Sequence, residues 1–163
     1  SASILKGGIN RKVLYVALLL HDIGKLFLLQ SGELDQSMIV TSEPDESHLF
    51  ERIHLGFDHA VLGAHVLDRW GLPDVLCRSV AWHHQPGRAY AIGGETAGVV
   101  AVLRMADSLE CAIRTGADVD SAVEAAAASE ATAFVNVSYE VLLSMWPKLV
   151  EARTELLAAL GDT

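Results

Sequence analysis

The chain has 163 residues, and 51% of them are hydrophobic, which is enough for one domain with a sizeable core over residues 1–163. Its formal net charge of −9 argues against a protein that binds the nucleic-acid backbone or an anionic membrane surface. A small phosphorylated ligand remains compatible with this charge, because a bound metal ion can supply positive charge locally.

Cysteine usage and hydropathy indicate the compartment. The two cysteines, Cys77 and Cys111, lie in helical patterns and form no CxxC pair, so we expect a reduced, cytoplasmic setting. No apolar run reaches the roughly 20 residues of a membrane span. The first apolar run ends in His-Asp rather than in the small-residue cleavage site of a secretory signal, so we expect neither secretion nor a membrane partner.

The first third of the chain predicts two helical segments followed by a polar connection. Residues 11–20 have the pattern of the end of a buried helix, and residues 25–29 are expected to continue it after a break. Residues 31–47 contain five acidic residues together with Gly32 and Pro44, which is typical of a mobile connection. Such a connection could act as a lid over a neighbouring pocket.

Two helices, 57–70 and 74–84, are predicted in the middle of the chain, where a helix stop is followed by a helix start. Gly71 favours the stop, and Pro73 fits the first turn of the next helix. Residues 85–95 contain one proline and three glycines, so they are predicted to form a loop.

Helical patterns continue to the end of the chain, over residues 96–114, 119–128 and 139–160. Thr96 is a suitable N-cap for the first of these helices. Since no convincing strand alternation appears along the chain, we predict an all-α fold, a helical bundle of about six or seven helices.

The pentapeptide His21-Asp22-Ile23-Gly24-Lys25 directly follows the first apolar run. A neutral imidazole suits Fe, Mn, Co or Zn, and a carboxylate suits any divalent cation. Gly24 allows a helix to end at this point, which would let one ion hold both neighbours. Lys25 adds a compact positive charge suited to a phosphate oxygen. The structural alternative is a buried histidine that caps a helix end.

Histidines and aspartates also interrupt apolar stretches in three of the later predicted helices. In a helical bundle such positions can converge on one buried polar pocket. The candidate metal ligands are His21, Asp22, His59, His83, His84 and Asp107. Six such residues would suffice for two divalent ions about 3.5–4 Å apart, which can clamp a phosphoryl group and share a hydroxide nucleophile.

Each candidate ligand also has a purely structural interpretation. His59 could simply follow a helix cap formed by Asp58, and the pair His83-His84 could interact with the dipole at a helix C-terminus. Asp107 is harder to explain in this way, because a buried carboxylate needs a partner. The remaining histidines are interpreted as surface or loop residues: His48, His54 and His65.

The order His-Asp, His, His-His, Asp resembles the HD superfamily of metal-dependent phosphohydrolases. Three stretches resemble its HDOD branch in particular: the leader "LLHDIGK", the segment "DHAVLGAHVLDRWGLP", and a helix that closes in "HH". The segment "VLRMADSLE" over residues 102–110 fits the position of the superfamily's final metal aspartate. The resemblance implies an HD-like helical bundle that serves in bacteria as a signalling or output module with regulatory protein partners.

The resemblance also implies roles for individual residues. It implies a first ion held by His21, Asp22 and Asp107. It implies a second ion, as in the related HD-GYP enzymes, held by His59, His83 and His84. Lys25 would face the scissile phosphate, so Asp22 and Lys25 are the expected catalytic residues. One or two divalent ions are expected, with Fe, Mn or Mg as the candidates.

Two departures from the family pattern bear on activity. The superfamily places its first histidine ligand on the helix before the dyad, but none of the 20 residues before His21 is a histidine. HDOD domains also carry an N-terminal helical half at that point, so we expect an upstream part to be missing. After His84 the Gly-Tyr-Pro segment of HD-GYP enzymes is absent, which weighs against a dedicated cyclic di-GMP phosphodiesterase.

Three functions are therefore compatible with the sequence. The leading hypothesis is a bacterial HDOD-type signalling domain that retains a divalent metal site. The second is an active phosphohydrolase that acts on a nucleotide or a cyclic dinucleotide through attack of a metal-bound hydroxide on phosphorus. The third is a metal-free scaffold for protein interaction, in which the histidines and aspartates pair among themselves.

Overall fold

A computed structural model describes residues 8–32 and 46–161 of the chain. Over these residues the regular structure is entirely helical, which confirms the predicted all-α fold. The helices are α1 (Arg11–Leu20), α2 (Ile23–Ser31), α3 (Glu46–Leu55), α4 (His59–Arg69), α5 (Asp74–Trp82), α6 (Pro86–Ile92), α7 (Gly94–Thr115), α8 (Val119–Ala127), α9 (Glu130–Val135) and α10 (Tyr139–Gly161).

Three short helices, α3, α6 and α9, were not expected from the sequence. The loop predicted over 85–95 is wrong, because Pro86 starts α6 at a first-turn position where its fixed φ and missing N–H are tolerated. The predicted N-cap Thr96 is also wrong, since α7 begins at Gly94 with Gly93 as its cap. Most of the predicted polar connection, residues 33–45, lies outside the described residues.

The first two helices are less buried than the sequence suggested. In α1 only Ala17 is buried, whereas Tyr15 and Leu19 are exposed. By length and composition alone, the 21 residues Arg11–Ser31, which include the turn at His21-Asp22, pass as a candidate membrane span. This goes against the expectation that no such run is present, although core helices and signal sequences share the same length and composition.

Helix α7 runs through both hydrophobic clusters of the described fold. Its first half contributes Val99 and Leu103 to a cluster with α1, α4 and α5. Its second half contributes Met105 and Leu109 to a cluster with α8, α9 and α10. Asp107 therefore lies on the helix that both clusters share, on the half-buried side of α7.

Gly24 brings α2 and α4 into backbone contact. A Cβ atom at this position would lie 2.0 Å from the carbonyl oxygen of His59 and 2.9 Å from the backbone nitrogen of Gly63. Gly24 does not end a helix as expected, because the chain turns at His21-Asp22 and α2 has already begun at Ile23. The missing side chain instead allows the His21-Asp22 turn to pack against the start of α4.

Candidate metal centre

The candidate site lies where three helix ends meet. Asp22 occupies the turn between α1 and α2, His59 is the first residue of α4, and His83 and His84 follow the last turn of α5. One ligand atom from each of these four residues lies within 4.8 Å of the others, so together they could hold a metal ion. Asp58 is the N-cap of α4, as in the structural interpretation of His59, and accepts a hydrogen bond from the backbone N–H of Val61 at 2.9 Å.

The closest ligand atoms face one another across the pocket. His59 Nε2 lies 3.1 Å from Asp22 Oδ1 and 3.0 Å from His84 Nε2. Two imidazole nitrogens at this distance are stabilised either by a shared proton or by a cation that both can bind. With metal–nitrogen bonds of about 2.0–2.1 Å, two ligands of one ion lie about 3 Å apart, so these spacings fit a first-row divalent ion.

Partners on Nδ1 fix which nitrogen each buried ring presents to the pocket. The Nδ1 of His59 contacts Glu51 Oε2 at 2.7 Å, and the Nδ1 of His83 contacts the carbonyl oxygen of Val80 at 2.6 Å. A carboxylate and a carbonyl only accept hydrogen bonds, so both Nδ1 atoms carry the proton. When either ring is neutral, its lone pair is therefore on Nε2, the atom that faces Asp22. Burial opposes protonation of His59, but its contacts with Asp22 and Glu51 outweigh this and raise its pKa.

His83 is fully buried, and its Nε2 has no hydrogen-bond partner among the described residues. Burial, reinforced by the neighbouring histidines, holds the pKa of His83 well below its usual value of 6.5, so the ring is neutral. Its Nε2 lies 3.8 Å from Asp22 Oδ1. An unpaired buried acceptor costs free energy, and a cation bound between these atoms would satisfy it.

The Asp22 carboxylate lies between two groups of positive charge. Burial would raise its pKa, but the contact with His59 and the charges of His21 and Lys25 outweigh this and hold the pKa well below its usual range. Oδ1 faces His59, whereas Oδ2 accepts a hydrogen bond from Lys25 Nζ at 2.8 Å. Lys25, expected to face a phosphate, is thus paired with Asp22 in this structure.

His21 and Asp107 form a neighbouring pair on the other side of Asp22. His21 Nε2 lies 3.3 Å from Asp107 Oδ1 and 3.7 Å from Asp22 Oδ2. Burial opposes protonation of His21, but its hydrogen bond to Asp107 and the charges of both aspartates raise its pKa to about 9. The structure thus brings all six predicted ligands together. The resemblance implied that Asp22 shares an ion with His21 and Asp107, whereas the structure groups its carboxylate with His59, His83 and His84. How the six residues divide between two ions therefore remains a prediction.

Helix α3 contributes two residues that sequence reasoning missed. Glu51 is fully buried against His59, and His48, interpreted as a surface or loop residue, is also buried. The His48 ring is stacked on the His84 ring with centroids 4.3 Å apart and planes 10° from parallel. His48 and Glu51 are three residues apart and share one helical face, but this signal depends on recognising a helix in a polar segment. His54 and His65 are exposed, as expected.

Comparison with known proteins agrees with the motifs. Residues 4–86 match the HDOD domain family, and this range includes His21, Asp22, His59, His83 and His84 but ends before Asp107. The chain is 40% identical over 86 residues to a bifunctional uridylyltransferase/uridylyl-removing enzyme of Ruegeria pomeroyi, a match that covers 50% of this chain and 6% of that protein. No solved structure gave a significant match. Because the family match spans half of its length, this chain belongs to the HDOD domain family.

Proposed function

We propose that this HDOD domain is a bacterial signalling module whose metal site holds a divalent ion on Asp22, His59, His83 and His84. The observation that carries the proposal is the buried Nε2 of His83, which faces the Asp22 carboxylate with no partner among the described residues. A scaffold without metal would gain nothing from a fully buried imidazole lone pair that lacks a donor.

The donor set favours particular ions. Three imidazoles and one carboxylate suit Fe or Mn better than Mg, which prefers oxygen ligands and retains its waters. His21 and Asp107 extend the donor set on the other side of Asp22, where they could contribute to a second ion. We therefore expect one strongly held ion, with a second that depends on His21 and Asp107.

Metal analysis tests this proposal directly. Protein reconstituted with Mn²⁺ or Fe²⁺ and desalted is expected to retain about one ion per chain. His83→Ala removes a ligand and Asp22→Asn replaces an anionic ligand by a neutral amide, so each is expected to lower the affinity at least about 10-fold. His65→Ala, an exposed histidine on α4, is the matched control and should bind like the wild type. A wild-type protein without a stoichiometric ion would instead favour the metal-free scaffold.

The second candidate function is hydrolysis of a phosphate ester, and the placement of Lys25 favours it. When bound, the ion would supply an acidified water as nucleophile. Lys25 Nζ lies 2.8 Å from Asp22 Oδ2, so its charge is at the edge of the proposed ion site, where it can bind a phosphate oxygen of a nucleotide or cyclic dinucleotide. The uridylyl-removing activity in the name of the relative is in line with a nucleotidyl substrate, although the match covers 6% of that enzyme.

Substitution of Lys25 separates hydrolysis from metal binding alone. With saturating Mn²⁺ and a generic phosphodiester, Lys25→Ala is expected to lower the rate about 10-fold or more while the site stays occupied, because a transition-state charge contact is lost but no ligand is. Asp22→Asn should lower both metal affinity and activity. A fully metallated wild type that leaves nucleotides and cyclic dinucleotides intact would exclude the hydrolase and retain the signalling domain.

The cysteines and the net charge bear on the cellular compartment and on the partners of the domain. Both cysteines are free thiols, and the net charge is −9. These features support a cytoplasmic domain whose partners are regulatory proteins and a phosphorylated small molecule rather than nucleic acid or a membrane.

A further inference from the structure

Helix α3 is attached to the site by its polar side. Two of its four apolar residues, Leu49 and Ile53, are 52% and 80% exposed, whereas Glu51 is 1% exposed. A surface helix normally buries its apolar residues in preference to its carboxylates, so this arrangement departs from the usual pattern. A carboxylate that could lie in water is instead buried at the site, which costs free energy unless its contacts there compensate.

Among the described residues, Glu51 forms its hydrogen bonds with a single residue, His59. Glu51 Oε2 accepts a hydrogen bond from the backbone N–H of His59 at 2.6 Å. The Nδ1 atom of the His59 ring lies 2.7 Å from Oε2 and 2.9 Å from Oε1 of the same carboxylate. These contacts fix the position of the first residue of α4, the rotation of its ring and the nitrogen that carries the proton. Nε2 is thereby aimed at Asp22 Oδ1.

We propose that Glu51 is a positioning residue that holds His59 in its Nδ1–H form and thereby sets the affinity of the metal site. The inference rests on the proposed metal binding and adds a residue that neither the motifs nor the resemblance assigned. A carboxylate that accepts the distal N–H of a histidine ligand orients the ring and increases its basicity, and its loss typically lowers metal affinity 10–100-fold.

An ion pair between the same two segments provides the matched control. Arg52 Nε donates to Asp58 Oδ2 at 2.6 Å and also ties α3 to the start of α4, but it does not contact the His59 ring. If α3 acts only by docking, loss of the Glu51–His59 hydrogen bonds and loss of the Arg52–Asp58 ion pair should weaken the site equally. If Glu51 acts through the ring, only its own substitution should do so.

The experiment compares wild type, Glu51→Gln and Arg52→Gln with two measurements. The first is the ¹⁵N spectrum of the His59 ring in metal-free protein, at a pH where the ring is neutral. Wild type should show the Nδ1–H form. Glu51→Gln should shift the proton towards Nε2, because the new amide can donate to Nδ1. The second is Mn²⁺ affinity, which should fall about 10–100-fold for Glu51→Gln and stay within about 3-fold of wild type for Arg52→Gln.

The outcomes separate this inference from the proposed function. Wild type that binds no Mn²⁺ would overturn both. Wild type that binds Mn²⁺ as tightly as Glu51→Gln, or Arg52→Gln that loses as much affinity, would overturn only the role of Glu51. The wild-type spectrum does not depend on whether any variant folds. If that spectrum shows the Nε2–H form of His59, the proposed role of Glu51 is also overturned.

Discussion

Replacement of Gly24 by alanine tests the backbone contact that joins the His21-Asp22 turn to α4. The new Cβ would lie 2.0 Å from the His59 carbonyl oxygen, whereas real Cβ atoms essentially never come closer than 3.0 Å. The two helices must therefore separate by at least 3.0 − 2.0 = 1.0 Å along this line. Because the obstacle is backbone, no side-chain rotation can relieve it.

The size of the effect follows from two opposing terms. Overpacking a well-packed site costs about 1–3 kcal/mol, and a backbone obstacle places Gly24→Ala at the upper end. Alanine gains about 1 kcal/mol over glycine in a helix. The net loss is about 2 kcal/mol, or a fall in Tm of about 4–8 °C for a chain of this size. Since Gly24 contacts His59, the same separation should also weaken metal binding.

Urea denaturation and thermal unfolding of the metal-free protein measure this loss. Gly87→Ala in α6 is the control, because a Cβ there would meet nothing within 4 Å and its φ is not positive. That variant should be as stable as the wild type or more stable. Gly63→Ala, with contacts at 3.2 Å, should fall between the two. If Gly24→Ala is as stable as Gly87→Ala, the close approach of α2 to α4 is refuted.

Two further predictions concern titratable groups away from the site. The N-cap Asp118 accepts hydrogen bonds from the backbone and side chain of Ser121, which lower its pKa below 3.8. Its charge therefore adds stability above pH 3.8 that is lost as the pH falls, and the gap in urea midpoint between wild type and Asp118→Asn should narrow from pH 6 to pH 3. Burial, together with the charges of Asp68 and Asp74, raises the pKa of the Cys77 thiol. In Cys111→Ser protein, Cys77 should therefore react with a thiol reagent at pH 8 only upon unfolding, and rapid reaction of the folded protein would contradict its burial.

The candidate ligands were predictable because each is a metal-binding side chain inside an apolar stretch. His59 and Asp107 lie in helices that contribute buried residues to the core, such as Leu67 and Leu103, and a polar side chain among such residues needs a partner. The spacing along the chain did not determine how they group. Asp22 could have belonged with His21 and Asp107, but the turn that holds it places its Oδ1 beside His59.

The contribution of α3 was not predictable by the same reasoning. Apolar periodicity identifies helices that bury their hydrophobic side, but α3 buries His48 and Glu51 and exposes Ile53. Its polar composition and the neighbouring acidic residues are typical of a solvated connection. Hydrogen bonds to His59, which lies eight residues later in the next helix, compensate for the burial of Glu51. Pairing of this kind leaves no periodic signal.

Only some of the contacts among the candidate ligands distinguish a metal site from a metal-free scaffold. A shared proton satisfies Asp22 and His59 without an ion, and another satisfies His21 and Asp107, so these pairs are compatible with either function. His83 is different, because its neutral ring donates Nδ1–H to the Val80 carbonyl and directs a lone pair towards the acceptor oxygen of Asp22. Two acceptors that face each other in a buried pocket repel, and a cation between them turns that repulsion into ligation. The state of His83 Nε2, rather than the number of histidines, therefore decides between the two functions.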